Sequence, residues 1–497
     1  MKRSGAVAFH PAVFSRCGPR PRARGAALAM PLVGLLVAGC AGTPQDCASA
    51  RGDARIGACT REIESGRLQG PLLAGAYSRR AGAKEDRGDL DGALTDFNRA
   101  VELDPANGVA YRNRGLARQR EGDLNGALAD FDRAIGLDPD YRHAYINRGM
   151  VRQERGDLAG AVADFSRAIE LEPRGAGAYL ARGGVYGQQG KFEEALADFD
   201  QAIELEPRMA RAYSLRALTR LERHDFDGAL ADYDRAIDLD PGFADDYLAR
   251  GMIRYQRNDP AGAIADFTRA IELAPRDAAA YAYRGLARKQ AGDLDGAVAD
   301  ETRAIAFDPT LALAYSARGN ARRGQSDLEG ALSDYDRAIK LDPLNPRTWR
   351  NRGHVRFLMG QPAEAAGDFS RALELQPDSY AAIWLYLARS RTQAGAAGDE
   401  LAATAEGLAA DRWPAPVIAF YLGRGTPESL LAAADDADPD IRRAQRCEAD
   451  FYLAEWHLLK DDRGRALPLL QAAAAECPPD FGEHSDAVTE LARLGAR

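Results

Sequence analysis

A chain of 497 residues with 74 acidic and 65 basic side chains carries a formal net charge of −9, which is not the basic surface a nucleic-acid binder presents. The balance is uneven. Residues 1–39 hold six positive charges and no acid, so a chain beginning at residue 40 would lose those six and carry −15.

The six are Lys2, Arg3, Arg16, Arg20, Arg22 and Arg24, and they precede an apolar run of 14 residues, Ala26 to Gly39. That run fits the core of a secretory signal and is too short for a membrane-crossing helix, which needs about 20 residues. It ends Leu36-Val37-Ala38-Gly39-Cys40, which resembles the lipobox of bacterial lipoproteins. The resemblance implies that Cys40 takes a diacylglycerol and that the peptide before it is removed. Several acyl chains make a stable anchor where one is marginal. Ala41 is not the Asp that tends to retain such proteins at the inner membrane, so the expected location is the outer membrane, facing the periplasm.

Cys17 would leave with the signal, and Cys47, Cys59, Cys447 and Cys477 remain. An even number in an oxidising compartment reads as structural bridges. Three pairings are open. Cys47–Cys59 with Cys447–Cys477 is favoured, because each pair brackets an expected helical hairpin.

From residue 74 to 379 the chain repeats. Prolines fall at 105, 139, 173, 207, 241, 275, 309, 343 and 377, always 34 apart. The same step carries Tyr77, Tyr111, Tyr145, Tyr179, Tyr213, Tyr247, Tyr281 and Tyr315, then Trp349. One unit reads GVAYRNRGLARQREGDLNGALADFDRAIGLDPDY. Small and apolar residues fall at helical spacing in two blocks. Gly122 separates them and can end a helix in the left-handed conformation. Asp123 can cap the second helix, and Pro139 opens the next unit. Gly115 and Ala127 let the two helices approach, with Tyr111 and Phe131 filling the space on one side. A lone hairpin cannot bury this face, but stacked hairpins can.

Each unit also carries an Arg before its small residue (Arg80, then every 34th position to Arg352) and an Asp before its second-helix aromatic (Asp96 to Asp368). Antiparallel packing puts them at one height, which predicts a buried Arg–Asp ladder rather than an anion site. The seventh unit has Glu301 where the others have Phe or Tyr. Two readings stand: a carboxylate satisfied by a neighbouring Arg or by water, or a weak point where the array flexes.

The 34-residue period and its residues resemble the tetratricopeptide (TPR) family. The expected fold is all-α, a right-handed TPR superhelical solenoid with a helical C-terminal extension. The expected layout is a signal at 1–39, a tether with capping helices at 40–73, nine repeats at 74–379 and an extension at 380–497. In that family, first-helix residues line a concave surface that grips peptides or helices. Carried over, those positions are Ile146, Met150, Leu180, Leu218, Leu248, Met252, Tyr255 and Leu286, then Ser316, Asn320, Arg323, Arg347, Arg350 and His354. The expected groove is apolar in its middle and basic toward its end, where it would take an acidic segment. The competing reading is packing between repeats.

After Pro377 the repeat blurs, and a last block resembles another TPR hairpin, with Cys447 near its start and Cys477 at its end. WLYLA at Trp384–Ala388, the Trp413 segment to FYLG at Phe420–Gly423, FYL at Phe451–Leu453, Asp480-Phe481 and Glu490-Leu491 resemble the C-terminal region of NlpI-type lipoproteins. This resemblance implies a non-enzymatic periplasmic adaptor that brings murein endopeptidases to a processing protease. The chain departs from that family in its larger number of repeats and in the Cys447/Cys477 pair. The alternative is an assembly factor, a pilotin-like lipoprotein for a secretion or pilus machine. Dimerisation through terminal repeats is left open.

Catalysis is not expected. The six histidines form no HExxH, GGVYGQQG at Gly183–Gly190 lacks the Lys-Ser/Thr of a phosphate loop, and no GxSxG occurs. Paired acids recur with the 34-residue step, which marks them as structural. No cofactor or metal is expected.

Overall fold

The computed structural model describes residues 46–392, 395–409, 411–477 and 482–496. The signal and the Cys40 acylation site lie outside them, as do Asp480 and Phe481. Among the described residues there are 26 helices and no strand. No helix there is long and apolar enough to cross a membrane. The chain divides at Pro241/Gly242 into two compact units, each built mainly of antiparallel helical hairpins.

One hairpin shows why these residues fold this way. Helix α4 spans Gly108–Glu121 and α5 spans Leu124–Leu137. Asn107 Oδ1 accepts from the Ala110 amide at 3.1 Å and starts α4. Gly122 ends it at φ 92°, a left-handed conformation that glycine adopts without steric cost. Asp123 Oδ1 then accepts from the Gly126 amide at 2.9 Å and starts α5. Between the two helices Phe131, fully buried, lies against Gly115. A Cβ at Gly115 would sit 2.7 Å from the ring, so the aromatic and the small residue specify one another. The same pairing recurs as Gly149 with Phe165, Gly183 with Phe199, Gly251 with Phe267, Gly319 with Tyr335 and Gly353 with Phe369.

The left-handed corner is not always glycine. His224, Asn258 and Ser326 hold it at φ 60°, 61° and 64° in the fifth, sixth and eighth repeats. A side chain there costs roughly 1–2 kcal/mol, which the stacked neighbours over-determine.

In the N-terminal unit, α1 (Asp53–Glu64) precedes the regular hairpins, the first of which pairs α2 (Gly70–Asp86) with α3 (Leu90–Leu103). Cys47 is bonded to Cys59, with Cα atoms 4.4 Å apart. The C-terminal unit runs from the sixth repeat into seven further helices after Pro377, starting with Ser379–Arg391. These share one apolar core with the ninth repeat. Its centre is Trp384, fully buried, with ring centroids 5.2 Å from Phe357, 5.7 Å from Phe451 and 4.3 Å from His354. Tyr421 and Tyr452 lie in the same core, the Tyr421 hydroxyl donating to the Tyr452 carbonyl at 2.9 Å. Helices Pro439–Leu459 and Arg463–Glu476 form a hairpin closed by the Cys447–Cys477 bond, with Cα atoms 5.1 Å apart.

Candidate functional site

The repeated arginines are structural. Each of the nine, from Arg80 to Arg352, grips the Asp 16 residues later through two bonds. Nε meets Oδ2 at 2.8–3.0 Å. Nη2 meets Oδ1 at 2.6–2.8 Å. The aspartates are almost wholly buried. In eight repeats a second cation, Lys84 or an Arg from Arg118 to Arg356, reaches the same carboxylate at 2.7–2.9 Å. The fourth repeat has Tyr186 there instead. In at least seven of the nine arginines the remaining arm crosses to the preceding repeat, as in Arg148 Nη1 to Asp132 at 2.6 Å and Arg352 Nη1 to Asp336 at 2.7 Å. Charge-assisted bonds of this kind fix both the hairpin and its stacking. Asp164 and Asp132 together hold the Arg148 guanidinium above its ordinary range against the opposing effect of burial.

Glu301 is neither paired with a neighbouring Arg nor open to solvent. It is 1 % exposed, and neither carboxylate oxygen has a hydrogen-bond partner among the described residues. It takes the aromatic's place against Gly285, where an added Cβ would lie 2.6 Å from Oε1. The helical register sends the side chain inward whatever its chemistry. Burial, with Asp300 adding to it, pushes the carboxyl well above the usual range.

The apolar positions of the expected groove are largely absorbed between repeats. Leu218 and Met252 are 5 % and 4 % exposed. Ile146 packs against the cluster of Ala161, Phe165 and Val185, and Leu180 against that of Ala176, Ala202 and Ala212. Leu248, Tyr255, Leu286 and Ser316 are half-buried, and Met150 is exposed. Tyr255 feels both Glu301 and Arg347, and burial raises its hydroxyl pKa.

The basic end is where sequence and structure part. Arg347 is exposed, but its neighbours do not form an open cationic wall. Asn320 Oδ1 accepts from the Tyr335 hydroxyl and from Asn351, each at 2.8 Å. Arg350 donates to Asp378 at 2.5 Å. Arg323 and His354 are covered by the last described helix, Gly482–Arg493, which lies against Ala312–Gly324 and Pro346–Leu358. Arg323 Nη1 donates to Asp486 at 3.2 Å and lies 3.4 Å from His354 Nδ1. Burial, and then Arg323 and Arg350, hold His354 well below the ordinary histidine range, so it is neutral. Burial raises Asp486 to about 7, with Arg323 opposing. The cause is topological: an acidic helix of the same chain already occupies the seat that the basic residues make.

Beside it, Arg391 bridges two fully buried carboxylates, Glu455 at 2.6 Å and Glu490 at 3.2 Å. Burial raises Glu455 to about 7, against the pull of Arg391. Glu483, Asp486, Glu490 and Arg391 were not among the expected site residues. The visible signal was the 3- and 4-residue spacing of the three acids, which places them on one face.

Family models for the tetratricopeptide repeat match residues 215–284 and 320–392, 180–242, 86–122 and 151–190, and 110–141. Among solved structures the chain is similar to YrrB, a TPR protein with an unusual peptide-binding site, at 26% identity and TM-score 0.34, covering 36% of this chain and 92% of that one. It is similar to a tetratricopeptide repeat protein from Parabacteroides merdae at 22% identity and TM-score 0.40, covering 49% and 97%. It is also similar to PilW, a widely conserved type IV pilus biogenesis factor, at 20% identity and TM-score 0.39, covering 41% and 94%. With family matches over more than half its length and a hairpin that returns every 34 residues, the chain belongs to the tetratricopeptide repeat family, a generally non-catalytic scaffold that binds other proteins or peptides.

Proposed function

We propose that this scaffold works in the bacterial envelope: a lipid-anchored adaptor on the periplasmic side of the outer membrane that brings peptidoglycan hydrolases to their processing protease. The observation that carries the envelope reading is the state of the cysteines. All four that follow Cys40 are joined in two bridges, and such bonds persist in oxidising compartments. The lipobox-like Leu36–Cys40 adds the anchor. The NlpI-like residues Trp384, Phe420, Phe451 and Leu453 are buried in the C-terminal core, so that part of the resemblance concerns a shared interior, and the clients are inferred from the resemblance alone.

The experiment is a pull-down from detergent-solubilised membranes with the full-length chain, alongside palmitate labelling of the chain and of Cys40→Ser. Label on the parent but not on the variant, with murein hydrolases and a protease retained, is the expected result. Absence of label overturns the anchor. Recovery of a ring-forming outer-membrane protein instead of hydrolases replaces the adaptor with a secretion or pilus assembly factor.

A further inference from the structure

The last described helix buries an acidic stripe. Along Gly482–Arg493 the inward residues are Glu483, Asp486, Ala487, Glu490 and Leu491. A helix packed on a solenoid end ordinarily buries an apolar stripe, but here three carboxylates at i, i+3 and i+7 share the face. Two of the three meet cations that other elements supply. Asp486 Oδ1 accepts from Arg323 at 3.2 Å, and Glu490 accepts from Arg391 at 3.2 Å and from Arg493 of its own helix at 2.8 Å. Glu483 Oε1 is 3.5 Å from the Tyr452 hydroxyl. Arg323 belongs to a first helix of the repeats, the element from which a groove of this family receives its ligands.

The fit is incomplete. Arg323 Nε, His354 Nε2, Asp486 Oδ2 and His484 Nδ1 are all buried and have no hydrogen-bond partner among the described residues. Unmade bonds in a desolvated polar interface weaken it in proportion to their number. Two of these atoms, Arg323 Nε and His354 Nε2, belong to the seat itself, and a helix whose polar groups met them would bind it better than the helix now in it.

We propose that Arg323, His354 and Arg391 form the recognition seat for an acidic helix of a partner protein, with carboxylates at i, i+3 and i+7, and that the chain's own C-terminal helix is a displaceable stand-in. This rests on the groove's being a polypeptide-binding surface, and it names the partner chemistry and the regulation of that surface. A tethered competitor sets a threshold: if the helix is docked about 99 % of the time, the apparent affinity of the seat falls about 100-fold. Only a partner with complementary acids, or one held nearby by other contacts, opens it.

The probe is a fluorescein-labelled synthetic peptide of residues 482–496, titrated by anisotropy against the full chain and against the full chain bearing Asp486→Lys and Glu490→Lys. The expected result is at least 10-fold tighter binding to the released chain, loss of that binding when Arg323→Glu is added, and no binding of a peptide with Lys in place of Asp486. A released chain that keeps its helical spectrum and binds no peptide overturns the proposal, as does binding indifferent to Arg323→Glu. Should the double variant disturb the C-terminal core, hydrogen exchange on the unaltered chain decides. Amides of Gly482–Arg493 are expected to exchange faster than those of Ala312–Gly324 and Pro346–Leu358, and equally slow exchange refutes displacement. The membrane pull-down needs no peptide and the peptide titration needs no client, so failure of the adaptor reading and failure of the seat are told apart.

Discussion

The Arg–Asp ladder makes a graded prediction. Asp130 accepts two bonds from Arg114 and a third from Arg118, at 2.9, 2.6 and 2.8 Å. Among the described residues Asp198 accepts only the two from Arg182, both at 2.8 Å. Both carboxylates are buried, at 3 % and 7 % side-chain exposure. Asp198→Ala strips Arg182 of its principal acceptor but leaves it Ser166 Oγ at 3.0 Å and the faces of Tyr179 and Tyr186. With two charge-assisted bonds lost and the guanidinium still reaching water, the cost is about 2–3 kcal/mol. Asp130→Ala leaves two guanidiniums side by side with nothing between them, the situation of a broken buried pair, and costs about 3–5 kcal/mol. Asp200→Ala is the control. Its carboxylate binds Arg216 at 2.5 Å but is 60 % exposed, which places it at about 0–1 kcal/mol. Because repeat arrays open hairpin by hairpin, the measurement is native-state hydrogen exchange. It compares opening free energies of Gly108–Leu137 in Asp130→Ala and of Ala176–Leu205 in Asp198→Ala, with urea midpoints alongside. The expected order is Asp130 above Asp198 above Asp200. If both ladder variants match the control, the arginines are solvated rather than structural and the reasoning fails.

Other positions give independent checks. Ser326→Gly, at φ 64°, should stabilise the eighth hairpin by roughly 1 kcal/mol by removing left-handed strain, seen as a higher urea midpoint. Gly115→Val should destabilise by about 1–3 kcal/mol through overpacking on Phe131, whereas Gly184→Ala, where an added Cβ meets nothing within 4 Å, should gain about 0.5–1 kcal/mol from helix propensity. Glu301→Phe restores the aromatic. The folded-state pKa of Glu301 is raised, so its contribution is most favourable below the unfolded carboxyl pKa and is lost as pH rises through the folded value. The stabilisation by Phe should therefore be larger at pH 8 than at pH 4, and a gain equal at both would show that Glu301 titrates normally. Reducing both disulfides should lower the thermal midpoint, since closing loops of 12 and 30 residues is worth about 3 kcal/mol each in the chain-entropy account.

The period, the caps, the aromatic-on-glycine contact and the Arg–Asp pairs were all legible because their partners lie within one unit. Arg114 finds Asp130 16 residues on, Phe131 finds Gly115 at the same distance, and Gly122 and Asp123 act on their own helix ends. Such contacts follow from helical spacing and a short turn, and the repeat states the Arg–Asp pair nine times over. Glu301 was visible as an exception, but whether its carboxylate reached a partner depended on neighbours that the period does not name.

The sequence by itself determined the helical hairpin, its 34-residue recurrence and the chemistry that closes each one. Only the tertiary structure decided what the basic end of the groove touches. Arg323 meets Asp486 across 163 residues, and Arg391 meets Glu490 across 99. A side-chain pattern tells which face of a helix is buried. It does not tell against what, because any face of matching size and charge would satisfy it until the whole chain has been packed.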